Sequence, residues 1–72
     1  MNTAKILEKI KNRRQQLNYS QEYMATTLQM NQGNYNKIEN GKVELTATML
    51  FRIWIILELN AEELLKEVIP RN

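Results

Sequence analysis

The chain is 72 residues long with 43% hydrophobic and 25% charged side chains, values that fit one globular domain spanning 1–72 and exclude the disordered class. It holds no cysteine and no histidine, and all eight acidic residues are glutamates; disulfides, thiolate or imidazole metal sites and the commonest general base are therefore missing, and no enzyme, metal or cofactor is expected. The formal charge of +2 is uneven, +4 over residues 1–42 and −2 over 43–72, which anticipates a polyanionic partner on one side only.

The opening stretch "NTAKILEKIKNRR" lacks the apolar core of a signal peptide. It reads instead as a helix over about 3–17, with Ile6, Leu7, Ile10 and Leu17 near the helical period. Asn18 follows where a left-handed residue ends a helix. Ser20 is a good N-cap for a second helix over about 21–28, and Glu22 in its first turn suits the positive end of the dipole. Asn31 is the N-cap of a third helix over about 32–40, which stops at Gly41, the preferred residue just past a helix end. Thr46 caps a fourth helix reaching about 57. Asn60 with Glu63 has the spacing of a capping box for a fifth, ending near Val68 before Pro70. The longest apolar run, "IWIIL" at 53–57, is far short of the roughly 20 residues that span a bilayer, so a soluble cytoplasmic protein is expected. No stretch alternates with a strand's period, so the expected fold class is all-α, a compact five-helix bundle. The second and third helices, within about 21–40, are short and joined by three residues, the dimension of a helix-turn-helix.

Each helical position advances by about 100°. With Tyr35 as origin, Ile38 lies about 60° and Glu39 about 40° away, towards the buried side, whereas Gly33 and Lys37 fall about 160° away on either flank. Gln32 projects from the first turn. The outward and leading positions are thus Gln32, Gly33, Asn36 and Lys37, with Asn34 beside them. Glutamine and asparagine carry a donor and an acceptor on one planar amide, which matches adenine N6 and N7 in the major groove, and lysine suits guanine or a phosphate. Gly33 would let the backbone approach DNA, at a cost of roughly 1 kcal/mol in helix propensity relative to alanine.

These residues resemble the phage Cro and cI-type repressor family, the XRE-like helix-turn-helix class of bacterial and phage regulators. "NYSQEYMA" (18–25) looks like the family's entry into its second helix, "MNQGNYNKIENGK" (30–42) like its recognition helix and following loop, and "TMLFRIWIILELNAEELL" (48–65) like its fourth and fifth helices. The likeness covers nearly the whole chain and implies a lambda-repressor-like DNA-binding domain. By that resemblance Gln32, Gly33, Asn34, Asn36 and Lys37 meet base edges, Gln21 bonds a phosphate from the start of the second helix, and Asn40 and Lys42 approach phosphates from the following loop. It also implies a structural ion pair between Arg14 and Glu39; a semi-buried glutamate needs a partner, and a bidentate arginine fits. The chain departs from the pattern at Gln29, where the turn usually holds glycine, at Gly33, usually a side-chain-bearing position, and at Ile55, commonly lysine.

Leu50, Ile53, Trp54 and Leu57 form the core stripe of the fourth helix, with Phe51 and Ile55 as a second row. A helix apolar on more than one side seeks a partner, so a two-fold homodimer is expected through Phe51, Trp54, Ile55, Val68 and Ile69. Two such helices about 34 Å apart would read a palindromic operator in double-stranded DNA. The expected function is a nucleoid-associated transcriptional regulator, a repressor. The alternatives are the antitoxin of a toxin–antitoxin pair, whose acidic half meets a toxin, and a protein-interaction module on the same fold without DNA binding.

Overall fold

Four short polar side chains set the starts of the helices in the computed structural model, which describes residues 3–68. Ser20 Oγ accepts from the Tyr23 amide at 2.9 Å, Asn31 Oδ1 from Asn34 at 2.7 Å, and Thr46 Oγ1 from Met49 at 3.1 Å. Asn60 Oδ1 accepts from Glu62 at 2.7 Å. Each satisfies an amide that the first turn would otherwise leave without a partner. The helices are α1 (Thr3–Gln16), α2 (Gln21–Thr27), α3 (Gln32–Glu39), α4 (Ala47–Ile56) and α5 (Ala61–Val68), and no strand occurs among the described residues. The all-α, five-helix reading of the sequence therefore holds. The expected capping box does not form: Asn60 Oδ1 takes the Glu62 rather than the Glu63 amide, and the Glu63 carboxylate lies 3.7 Å from Lys9 of α1.

The ends share one device. After α1, α2, α3 and α4 comes a residue with positive φ: Asn18 (59°), Gln29 (60°), Gly41 (70°) and Glu58 (54°). Each helix closes with paired amide-to-carbonyl bonds of the Schellman type, such as Gly41 N to Ile38 O (3.1 Å) and Lys42 N to Lys37 O (2.8 Å) after α3. Leu17, Leu28, Asn40 and Leu57, read from the sequence as last helical residues, are the C-caps, so each of these helices ends one residue earlier. Only one of the four left-handed residues is glycine. At the other three, the next residue is Tyr19, Met30 or Leu59, each partly buried against the core. That apolar contact, habitual in the motif, offsets the backbone cost.

The core draws on every helix: Ile6 and Ile10 from α1, Met24 and Ala25 from α2, Tyr35 and Ile38 from α3, Leu50, Ile53 and Trp54 from α4, and Leu64 from α5. Leu28 and Leu57, the C-caps of α2 and α4, are buried with them. Arginines tie helix ends across the molecule. Arg13 Nε donates to the Leu57 carbonyl at 2.9 Å and Arg52 Nη2 to the Leu28 carbonyl at 3.4 Å, so cations sit on the negative ends of α4 and α2. Part of the charge asymmetry along the chain is spent internally, since Lys9 meets Glu63 where α1 packs on α5.

Candidate nucleic-acid interface

The third helix is anchored on one side and open on the other. Tyr35, Ile38 and Glu39 are buried, while Gln32, Gly33, Asn34 and Lys37 are exposed and Asn36 is half-buried at the boundary with α2. Gly33 and Lys37 lie on the side opposite Tyr35, with Gln32 at the leading end and Asn34 and Asn36 on the two flanks. The Asn31 cap fixes the leading end of α3, and the Gly41 turn fixes its trailing end, leaving Asn40 and Lys42 exposed just beyond. Asn40 Nδ2 donates back to the Asn36 carbonyl at 3.0 Å, which uses one of its two N–H groups and leaves the other for an outside acceptor. A Cβ built on Gly33 would meet only Asn31 Oδ1, at 3.5 Å, an ordinary contact. Nothing inside the protomer requires glycine there.

Beneath this face lies a charged pair. Arg14 Nε donates to Glu39 Oε2 and Arg14 Nη2 to Glu39 Oε1, both at 2.9 Å, and Arg14 Nη1 donates to the Tyr19 carbonyl at 2.9 Å. The Glu39 side chain is 1% exposed. Burial works to raise its pKa, but the hydrogen bonds and charge of Arg14, with help from Tyr35 and Gln21, outweigh that and hold the carboxyl below its ordinary range. The same hydrogen bond raises the pKa of Arg14 against the opposing effect of burial. Tyr35 packs beside the pair; burial first, and then the neighbouring carboxylate, push its phenol up, so it stays protonated. Its hydroxyl finds no partner at good hydrogen-bond geometry.

Gln21, at the start of α2, reaches this pair rather than standing clear of the surface. Its Nε2 donates to Glu39 Oε1 at 3.5 Å, and its Oε1 accepts from Asn36 Nδ2 at 3.1 Å. The second Nε2–H is what remains for a phosphate. Single-residue patterns carried no sign of this link, because its members stand 15 and 18 positions apart.

The expected self-association surface needs correction. Phe51 and Ile55 are 56% and 76% exposed, but Trp54 is 3% exposed. Trp54 shares the stripe of Leu50, Ile53 and Leu57, and its indole N–H donates to the Asn60 carbonyl at 3.0 Å, so it belongs to the protomer's own core. Ile69 and the Val68 side chain lie outside the described residues. Among the described residues no cluster of histidine, cysteine or acidic side chains has the makings of a metal site, and no helix is long and apolar enough to cross a membrane.

A family model described as helix-turn-helix matches residues 10–64, which takes in α2, α3, α4 and the structural pair beneath them. No curated protein and no solved structure gives a match. With a match over most of its length and the corresponding helices in place, the chain belongs to the XRE-like, Cro/cI-type helix-turn-helix family, a family of DNA-binding transcriptional regulators.

Proposed function

We propose that this protein is a repressor that reads a palindromic operator by laying α3 in the major groove. The observation that carries the reading is the two-sidedness of α3: Tyr35, Ile38 and Glu39 are locked into the core while Gln32, Gly33, Asn34 and Lys37 are exposed. The major groove is wide enough for a helix and displays a distinct pattern of donors and acceptors for each base pair. In this reading Gln32, Asn34, Asn36 and Lys37 face base edges, and Gly33 lets the backbone come close. Asn40, Lys42 and the free N–H of Gln21 meet phosphates, which set register without reading sequence. Two copies joined through the exposed Phe51–Ile55 row of α4 would present two such helices to successive grooves, and occupying a promoter in this way would block transcription.

Selection of bound sequences from a random DNA pool, followed by gel shifts at several salt concentrations, tests this. The expected outcome is a two-fold symmetric consensus, bound with an affinity that falls steeply with salt, roughly 0.9 in log–log slope per phosphate contacted. Enrichment of no sequence at any salt would sink the reading and leave the interaction-module alternative. A consensus with no symmetry would remove the dimer alone.

A further inference from the structure

The hydrogen bonds around Glu39 have a direction, and that direction reaches the DNA-facing surface. Glu39 is ionised beside Arg14 and so accepts hydrogen bonds only. The Gln21 amide facing it must therefore present Nε2, which turns its Oε1 towards α3. A carbonyl oxygen can only accept, so Asn36 must present its NH2 group to Gln21, as it does at 3.1 Å. One N–H of Asn36 is consumed. Its Oδ1 and second N–H are left for an outside partner.

We infer that Gln21 is a specificity-positioning residue: it relays the polarity of the Arg14–Glu39 pair to Asn36 and fixes that side chain as an adenine reader. The inference rests on the DNA-reading role proposed above. An amide offering one acceptor and one donor matches adenine, whose N6 donates and N7 accepts, and mismatches guanine, which shows two acceptors there. An unrestrained asparagine would rotate to offer its NH2 group to guanine and lose much of that discrimination. The buried pair thus acts on more than stability: through two amides it sets which edge of Asn36 faces outward. The arrangement is rigid because Glu39 and Tyr35 on the same helix are buried and Arg14 is held a third time by the Tyr19 carbonyl.

The test compares the full chain with Gln21→Met, which keeps the length of the side chain and removes both amide contacts. In the free protein, 15N relaxation of the Asn36 side-chain amide reads the restraint directly. The wild-type amide is expected to be ordered and that of Gln21→Met mobile. With DNA, the readout is the ratio of affinities for adenine and guanine at the base pair contacted by Asn36, located by its disappearance from the consensus of Asn36→Ala. That ratio is expected to fall roughly tenfold in Gln21→Met. Loss of a Gln21 phosphate contact would weaken both sites alike and leave the ratio unchanged. An Asn36 amide equally mobile in both proteins overturns the relay even where an operator is found. An unchanged ratio does the same. Ordering of Asn36 without sequence preference in the wild type overturns the DNA-reading role itself, and the inference with it.

Discussion

Arg14 and Glu39, 25 positions apart in the chain, meet through two hydrogen bonds of 2.9 Å that join α1 to the last residue of α3. With the Glu39 side chain at 1% exposure and that of Arg14 at 11%, this is a buried bidentate pair. It locks the end of α3 to the body of the domain. Removing one partner leaves the other charged and buried, which is where such pairs weigh most.

Glu39→Ala is accordingly expected to lower stability by about 3 kcal/mol or more. In a domain this small each kcal/mol shifts the melting temperature by roughly 4–8 °C. Thermal denaturation checks this, and a melting curve matching wild type would mean the pair contributes nothing.

Acid should act through the same carboxylate. The folded-state pKa of Glu39 lies below its ordinary value of 4.5, so the folded protein binds this proton less readily than the unfolded chain. The resulting stability is fully present above about pH 4.5 and is lost as pH falls through the depressed folded value. Melting temperatures measured from pH 7 down to pH 3 should show a drop that is much shallower in Glu39→Gln, which starts from a lower plateau. Parallel curves for the two proteins would refute the linkage.

Gly33 offers a contrast between fold and function. With room for a Cβ at ordinary contact distance from Asn31 and no positive φ, Gly33→Ala is expected to raise stability, by up to about 1 kcal/mol. If α3 presses its backbone against DNA at this point, the added methyl group should weaken operator binding roughly tenfold, about 1.4 kcal/mol. Tighter binding alongside the stability gain would show that the backbone does not come close there.

Glu58 sits at φ 54° with its side chain exposed. The left-handed conformation costs a non-glycine residue about 1–2 kcal/mol. Glycine recovers that but loses about 0.5–1 kcal/mol to the freedom of its unfolded chain. A net gain near 0.5–1 kcal/mol is therefore expected for Glu58→Gly in chemical denaturation. A loss would show that the Glu58 side chain makes contributions its exposure conceals.

Ile55, 76% exposed beside Phe51 on α4, is the residue through which self-association should be tested. Burying an isoleucine contributes about 1.5–3 kcal/mol, so Ile55→Lys is expected to weaken a dimer by roughly 10- to 100-fold while the protomer keeps its melting temperature. Sedimentation equilibrium reads both states. A wild-type chain that stays monomeric at high micromolar concentration would remove the interface from the proposal.

Much of this molecule was legible in one dimension, because the signals that start and stop helices act over three or four residues. Ser20, Asn31 and Thr46 cap where their side chains allow, and Gly41 ends α3 where its lack of a Cβ allows. The rotation of α3 about its axis followed from Tyr35 and Ile38 alone, since their burial turns Gly33 and Lys37 to the outside. Tertiary packing decided the rest. It brought the Glu63 carboxylate to Lys9 and placed Gln21 between Glu39 and Asn36. In each case the choice lay between two partners that suit the side chain equally well by chemistry. Only the distances set by helices meeting in space distinguish them, and a periodicity of three or four residues carries no information about those.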